Sequence, residues 1–382
     1  MKFSPRRCLT YGFLLSILSG CSWFSTTPEA PRPNPLPNFQ ARLQLINEWQ
    51  TPLGTGIGDS DLRLADYGTG IFAATRDGQV VRLDEQSGRI SWRVAVGKSL
   101  SAGVGAGDGV AVVVTQQGHV IALNAENGSQ RWEYMLNTEV LAAPLAVDGF
   151  VIVRASDGRL FGLDSATGNL QWQQARTLPA LTLRSAAGMV SAGGAVFAGF
   201  AGGKLVGMNL SNGLVGWEAN VAFPKGATEI ERISDITSEP VLNERDICAI
   251  AYQGRLACFE PRSGNLLWAR DIASLQGLSS GTRTLYTTTS TESIMAFDRQ
   301  TGANLWKQDQ LARRGLTRPA ALPRAVLVGD AQGWIHALDS DNGTFLARLN
   351  TDNSGLASPP LVSDNVVYWQ SRQGTVYRTR LD

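Results

Sequence analysis

Short apolar segments with a two-residue period recur along most of the chain, and turn residues separate them. In the segment 158–164 (GRLFGLD), Leu160 and Gly162 alternate with Phe161 and Leu163. This alternation between turn residues is typical of a β-strand, which directs successive side chains to opposite faces. Upstream segments such as AAPLAV and FVIVRAS complete a unit that we interpret as four antiparallel strands.

The unit repeats along the chain, and most copies end in tryptophan. The positions at this end are Trp92, Trp132, Trp172, Trp217, Trp268, Trp306 and Ala347, and the steps between them are 40, 40, 45, 51, 38 and 41 residues. A period near 40 with four antiparallel strands is typical of a β-propeller blade. We therefore predict that the repeated tryptophan packs between neighbouring blades rather than forming a ligand cage.

The eighth copy indicates how the ring closes. The segment 373–382 (QGTVYRTRLD) supplies a strand but no following turn or tryptophan, whereas 46–52 (INEWQTP) supplies a strand with Trp49 in the tryptophan position. The sequence thus predicts an all-β fold over residues 41–382. The expected fold is an eight-bladed β-propeller of four-stranded antiparallel blades, closed by pairing the N-terminal strand with the last blade.

The N-terminal segment has the pattern of a signal peptide. A basic start is followed by the mostly apolar residues 9–18, a run too short to span a bilayer. The sequence LSGC that ends at Cys21 resembles a bacterial lipobox, which implies a signal over 1–20 and lipid attachment at Cys21. Residues 21–40 then contain the lipidated cysteine and a proline-rich tether, expected to be extended. An ordinary secretory signal with an incidental cysteine is the alternative.

Charge and cysteine content narrow the possible partners and cross-links. The signal contains three of the 34 basic residues and none of the 33 acidic ones, so the mature chain has 31 against 33, a net charge of −2. This balance argues against nucleic acid as a main partner. Cys248 and Cys258 flank a turn almost symmetrically. They are either a disulfide or two buried small apolar side chains, and we favour the second.

The repeat consensus resembles that of the pyrroloquinoline-quinone repeat in quinoprotein dehydrogenases. Those enzymes carry adjacent cysteines, a calcium site and a catalytic aspartate, but this chain has no Cys-Cys pair. His119 and His336 lack metal-ligand spacing, and the glycine run 103–107 (GVGAG), expected in a turn, lacks the following helix of a phosphate site. We therefore predict no catalytic residue, cofactor or metal. A periplasmic quinoprotein-like oxidoreductase and an envelope glycan-binding propeller are the alternatives.

Two insertions in the repeat indicate where a partner binds. The longer steps place extra residues in 177–185 (TLPALTLRS) and 222–239 (AFPKGATEIERISDITSE), each between the outer strand of one blade and the inner strand of the next. Because these connections emerge on one face and belong to consecutive blades, we expect the two loops to be neighbours. The first loop contains Leu178, Leu181 and Leu183, followed by Arg184, and the second contains Glu229, Glu231, Arg232 and Asp235. An apolar anchor with an arginine and a charged rim is typical of a protein interface. The alternative is that the leucines fold back to cap the core.

Lipobox, tether and eight repeats together resemble the BamB family of outer-membrane lipoproteins. The resemblance implies a non-catalytic scaffold, lipid-anchored on the periplasmic face of a Gram-negative outer membrane, that docks on the POTRA domains of BamA and assists outer-membrane protein insertion. It further implies indirect association with the other assembly lipoproteins, and unfolded outer-membrane proteins are a further candidate partner. The family's contact segments match Leu181, Leu183, Arg184 and Asp235, with Thr237 in place of a second aspartate.

Overall fold

A computed structural model describes residues 32–58, 60–356 and 358–382. In these ranges the strands form eight four-stranded antiparallel sheets, which confirms the predicted eight-bladed propeller. The signal peptide and Cys21 lie outside the described residues. A search of the described chain for a helix long and apolar enough to cross a membrane finds none.

The first half of the ring follows the order of the chain. Strand β1 (Leu45–Pro52) belongs to the blade that closes the ring, and each of the next blades takes four consecutive strands. Blade 1 contains β2 (Ala65–Tyr67), β3 (Gly70–Ala74), β4 (Gln79–Asp84) and β5 (Ile90–Ala95). Blade 2 contains β6 (Leu100–Gly107), β7 (Val110–Thr115), β8 (His119–Asn124) and β9 (Gln130–Met135). Blade 3 contains β10 (Leu145–Val147), β11 (Phe150–Arg154), β12 (Arg159–Asp164) and β13 (Leu170–Ala175).

The remaining blades keep the same order. Blade 4 contains β14 (Met189–Ala192), β15 (Ala195–Phe200), β16 (Lys204–Asn209) and β17 (Val215–Asn220). Blade 5 contains β18 (Val241–Leu242), β19 (Ile247–Ile250), β20 (Leu256–Phe259) and β21 (Leu266–Arg270). Blade 6 contains β22 (Leu278–Ser280), β23 (Thr284–Thr288), β24 (Ile294–Asp298) and β25 (Asn304–Gln308). Blade 7 contains β26 (Ala320–Ala321), β27 (Ala325–Gly329), β28 (Trp334–Asp339) and β29 (Phe345–Asn350). Blade 8 contains β30 (Leu361–Ser363), β31 (Val366–Gln370) and β32 (Thr375–Leu381).

The N-terminal strand closes the ring as predicted. β1 pairs antiparallel with β32, from Leu45 opposite Leu381 to Pro52 opposite Thr375, and so becomes the outer strand of blade 8. The first strands of neighbouring blades contact one another, including β30 of blade 8 with β2 of blade 1. The first strand of each blade therefore lines the axis, and the fourth strand lies at the outer edge.

The repeated tryptophan joins each blade to the next. A β-bulge in the outer strand immediately precedes it, for example where Gly162 pairs with Trp172 but Leu163 pairs with Leu170. The indole then lies over a turn glycine of the following blade, as Trp172 does over Gly213. The indole N–H groups of seven tryptophans donate to a carbonyl of the next blade over 2.8–3.0 Å: Trp49, Trp92, Trp132, Trp172, Trp217, Trp268 and Trp306.

The glycine-rich run 103–107 lies in β6 rather than in a turn, so that prediction was wrong. A Cβ atom on Gly105 would lie 2.0 Å from the carbonyl oxygen of Pro144, and one on Gly107 would lie 2.0 Å from that of Ala146. The glycines therefore permit a close approach between the inner strands of blades 2 and 3.

The last part of the proline-rich segment packs against blade 7. Arg314 donates to the carbonyl oxygen of Asn34 over 3.0 Å, and Arg348 donates to that of Pro37 over 3.0 Å. The Arg348 guanidinium also lies 5.0 Å from the centre of the Phe39 ring. Residues 33–382 form one compact unit, which includes this part of the proline-rich segment.

Cys248 and Cys258 form a disulfide, so the favoured prediction of two unlinked side chains was wrong. The two residues lie directly opposite each other on the adjacent strands β19 and β20. Antiparallel neighbours on one face have their Cβ atoms within bonding reach of a disulfide, a proximity that the symmetric flanking of the turn already suggested.

We expect the disulfide to protect both thiols in the oxidised protein. Alkylation in denaturant without reductant should leave Cys248 and Cys258 unmodified, and alkylation after reduction should label both. Mass spectrometry of the peptides provides the measurement. Replacing both cysteines with alanine should lower the free energy of unfolding by about 2–3 kcal/mol, because the link closes a short loop. Full labelling without reductant would contradict the cross-link.

Candidate functional site

The two inserted loops lie side by side, as predicted from the repeat lengths. The first loop joins β13 to β14, and the second joins β17 to β18. Asp235 of the second loop accepts a hydrogen bond from the backbone N–H of Leu183 in the first, over 2.6 Å. Its other carboxylate oxygen accepts from the backbone N–H of Gly202 over 2.9 Å. One carboxylate therefore connects the two loops to the turn between β15 and β16.

The four residues predicted to bind a partner differ in exposure. Leu181 is 45 % exposed, and the Arg184 side chain is 69 % exposed. Leu183 is partly buried, whereas Asp235 is only 3 % exposed. Because both Asp235 oxygens already accept backbone hydrogen bonds, that residue is placed to hold the loops rather than to touch a partner. Thr237 is also buried and donates to the carbonyl oxygen of Leu275.

The structure adds apolar side chains that the sequence reasoning did not single out. Phe223 and Ile230 in the second loop are 52 % and 67 % exposed, and Leu275 in the next connection along the ring is 48 % exposed. We call Leu181, Arg184, Phe223, Ile230 and Leu275 the docking face. In the sequence, these residues could have been identified as apolar positions within otherwise polar loops. A group of such residues on a surface often marks an interaction site.

The predicted charged rim of the second loop is largely occupied within the loop itself. Glu229 pairs with Arg232 over 3.1 Å. Glu231 accepts from the backbone N–H groups of Thr228 and Ala227, and these hydrogen bonds lower the pKa of its carboxyl group. These contacts fix the shape of the loop, so the apolar side chains rather than the acids are available for contact.

A cavity of about 300 Å³ lies beneath the first loop, between blades 3 and 4. Arg154 lines it, donates to the carbonyl oxygen of Ala187 over 2.9 Å and lies 5.2 Å from the centre of the Phe200 ring. Burial lowers the pKa of Arg154 to about 10, against the opposing charge of Asp235. The guanidinium remains protonated at neutral pH and gives the floor of the loop a positive charge.

Charged side chains cross the axis of the ring. Arg63 from the start of blade 1 pairs with Glu239 from the start of blade 5 over 3.0 Å, and Arg318 pairs with the other oxygen of Glu239. Blades 1 and 5 are opposite each other in a ring of eight, so this contact occupies the centre.

The remaining candidate groups for metal binding are already engaged. Asp246, Cys248 and Cys258 are close together, but the two sulfurs are bonded to each other and Asp246 pairs with Arg299 over 2.7 Å. His336 is fully buried, and its Nε2 lies 3.0 Å from an Asp330 oxygen. Neither arrangement offers a set of free ligands.

The half-buried His119 is also engaged. His119 Nδ1 lies 2.5 Å from a Glu133 oxygen, and Lys98 pairs with the same oxygen over 2.7 Å. All three side chains lie near the outer strands of blades 1 and 2, away from the two loops. This cluster is a solvated ion-pair group and has no features of a metal site.

Comparisons with known proteins agree with these observations. The family model described as outer membrane protein assembly factor BamB matches residues 76–308. The protein of that name from Pseudomonas aeruginosa is 44 % identical over 351 residues, covering 91 % of this chain and 92 % of the relative. The crystal structure of BamB from Moraxella catarrhalis superposes with a TM-score of 0.81 at 30 % identity, covering 88 % of this chain and 99 % of that one.

The fold extends to a wider set of proteins. A europium-containing methanol dehydrogenase matches with a TM-score of 0.72, covering 88 % of this chain and 93 % of that one, but at only 13 % identity. A likeness at that level concerns the fold alone, since one propeller architecture hosts many unrelated functions.

Proposed function

The chain belongs to the BamB family of outer membrane protein assembly factors, and from that premise we propose that it is a non-catalytic scaffold that docks on the POTRA domains of BamA. The observation that carries the proposal is the pair of adjacent inserted loops with exposed apolar side chains. Exposed apolar side chains on adjacent loops, next to charged residues, are typical of a surface that a partner protein covers.

In this proposal the residues of the docking face have different tasks. Leu181, Phe223 and Ile230 provide the apolar area that is removed from water on binding, at about 25 cal/mol per Å². Arg184 lies in the same loop as Leu181 and pairs with Glu139 over 2.7 Å in the free protein. Because the pair is exposed, exchanging Glu139 for a carboxylate of the partner costs little. Association with the other assembly lipoproteins then follows indirectly through BamA.

We further propose that a lipid on Cys21 anchors the propeller to the periplasmic face of the outer membrane. Residues 34–39 contact blade 7, so in this proposal the chain between Cys21 and Asn34 sets the distance from the lipid to the propeller. Twelve residues in an extended conformation would reach roughly 37 Å, at about 3.1 Å per residue. The tether thus limits how far the docking face moves from the membrane and keeps it near a membrane-embedded partner.

The proposal predicts which surface substitutions abolish partner binding. The double variant Leu181→Asp, Arg184→Glu should reduce the amount of BamA that co-purifies from detergent-solubilised outer membranes by roughly tenfold or more. The reason is that two contacts with the partner are lost. BamA is detected by immunoblot. The control is Leu305→Asp on the outer strand of blade 6, whose side chain is 50 % exposed and thus matches Leu181.

The control separates the docking face from general surface hydrophobicity. BamA should be retained with Leu305→Asp and lost with the double variant. Equal retention in all samples would place the interface elsewhere on the propeller. Absence of BamA from the wild-type sample would argue against the scaffold function itself. Circular dichroism of each variant confirms that the blades remain folded.

A further inference from the structure

One arginine, Arg63, contacts the ends of both inserted loops. The Arg63 side chain donates to the carbonyl oxygen of Ala186, at the end of the first loop, over 3.0 Å. Its other terminal nitrogen pairs with Glu239, at the end of the second loop, over 3.0 Å. The two attachment points precede the first strands of different blades, β14 of blade 4 and β18 of blade 5.

Arg63 reaches the loops from the opposite side of the ring. It precedes β2 of blade 1, and its backbone is bonded to β6 of blade 2: its N–H donates to Gly103 over 2.7 Å, and its carbonyl accepts from Val104 over 2.9 Å. These bonds fix the Arg63 backbone independently of the loops. The side chain is only 11 % exposed, so it is not itself part of the docking face.

The charges around Arg63 hold the contact in one arrangement. Glu239 lies between Arg63 and Arg318, and Asp61 pairs with Arg63 over 3.3 Å. Burial would raise the pKa of Glu239, but the Arg318 and Arg63 guanidiniums lower it to about 2. The carboxylate is therefore ionised at any pH at which the protein is used.

A glycine beside the first loop makes room for this ion pair. A Cβ atom on Gly188 would lie 2.8 Å from the nearer Glu239 oxygen and 3.1 Å from the Arg63 nitrogen that pairs with it. The backbone at the end of the first loop thus packs directly under the pair that fixes the end of the second. The two loops share one support.

We propose that Arg63 is a positioning residue for the docking face, which sets the separation of the two loops from across the ring without touching the partner. This inference rests on the proposed docking function. A bound partner requires both loops at once, so a fixed separation removes the cost of ordering them on binding. Buried ion pairs contribute little net stability, and a role in specifying one arrangement is consistent with that.

The test compares variants of two buried arginines, Arg63 and Arg299, of which only Arg63 contacts the inserted loops. Arg299 pairs with Asp246 between blades 5 and 6, is similarly buried and contacts neither loop. Arg63→Met should weaken binding of the full-length protein to purified BamA in detergent by roughly tenfold, because the loops lose preorganisation. Arg299→Met should leave the affinity unchanged even if its melting temperature falls as far.

Hydrogen exchange of the free proteins gives a readout that does not depend on the partner. Backbone amides in 178–187 and 226–238 should exchange faster in Arg63→Met than in wild type, and no faster in Arg299→Met. Unchanged exchange together with unchanged affinity would overturn the inference, as would equal loss of affinity in both variants. If wild type fails to bind BamA while the loop exchange still responds to Arg63→Met, the proposed partner is wrong but the positioning role stands.

A second variant covers the case in which Arg63→Met does not fold. Glu239→Gln keeps the shape of the side chain but removes the charge between the two arginines. It should loosen 226–238 while leaving 178–187 close to wild type, since Ala186 still binds Arg63. Equal loosening of both loops, or of neither, would contradict the separate attachment of each loop to Arg63.

Discussion

Trp268→Ala should lower the free energy of unfolding by about 3–5 kcal/mol, the usual range for removing a buried tryptophan. The indole is 8 % exposed and lies over Gly302 in the turn of blade 6. Its N–H donates to the carbonyl oxygen of Arg299 over 2.9 Å. Truncation therefore removes packing from two blades at once and leaves a buried carbonyl without its donor.

Urea denaturation followed by circular dichroism measures this effect. Trp334→Ala is the control, because that tryptophan is only partly buried and, among the described residues, its indole donates no hydrogen bond to a following blade. It should cost clearly less. Similar losses for the two variants would mean that the position in the repeat does not matter and that the tryptophans act only through their size.

The repeat consensus does not explain why blade 7 lacks the tryptophan that ends the other blades. The sequence places Ala347 at that position without a reason. In the structure, the outer strand of blade 8 is β1, so no turn connects it to β32 and there is no turn glycine for a tryptophan of blade 7 to cover. Ala347 instead belongs to an apolar cluster that includes Leu45 and against which Leu43 and Leu381 pack. The exception follows from ring closure, which joins segments distant in sequence.

The position of the two inserted loops could be predicted from the sequence, but the contacts that hold them could not. Their adjacency follows from the handedness of a regular repeat, since consecutive inserted connections must emerge on one face. The burial of Asp235 does not, because its partners Leu183 and Gly202 come from other connections. The contact between Arg63 and Glu239 could not be predicted for the same reason, because the two residues are 176 positions apart in the sequence and meet across the axis. Repeat analysis describes one blade at a time and misses such contacts.

The attachment of the tether was similarly hidden. Proline content predicted no regular helix or sheet in the tether, and residues 32–40, the part that the structure describes, contain neither. It gave no sign that Arg314 and Arg348 would bind the backbone of Asn34 and Pro37. These arginines belong to blade 7, about three hundred residues later in the chain. The same two side chains are held by a buried cluster, which gives the final prediction.

Asp330→Ala should destabilise the protein by about 3–5 kcal/mol at pH 7, because it removes the only carboxylate in contact with buried Arg314 among the described residues. Asp330 is fully buried, and Arg314 pairs with it over 2.7 Å. His336 Nε2 lies 3.0 Å from the same oxygen, while Arg348 donates to Nδ1 of that ring over 3.2 Å. Burial lowers the pKa of His336, so the ring is neutral and donates to Asp330.

The pH dependence of this loss distinguishes the charge of Asp330 from its volume. Burial raises the pKa of Asp330, but hydrogen bonds led by that from His336 lower it below the ordinary value of 3.8. The unfolded state therefore binds the proton more tightly, and the stabilisation is present above pH 3.8 and lost as the pH falls through the folded-state pKa. The difference between wild type and Asp330→Ala should accordingly shrink in acid.

The control is Asp309→Asn, which changes an exposed partner of Lys307 and should change the free energy of unfolding by less than about 0.5 kcal/mol at either pH. Hydrogen exchange should also show residues 34–39 released in Asp330→Ala alone, since Arg314 and Arg348 then lose the cluster that orients them toward the tether. A pH-independent loss with the tether still protected would instead assign the effect to the cavity left by the side chain.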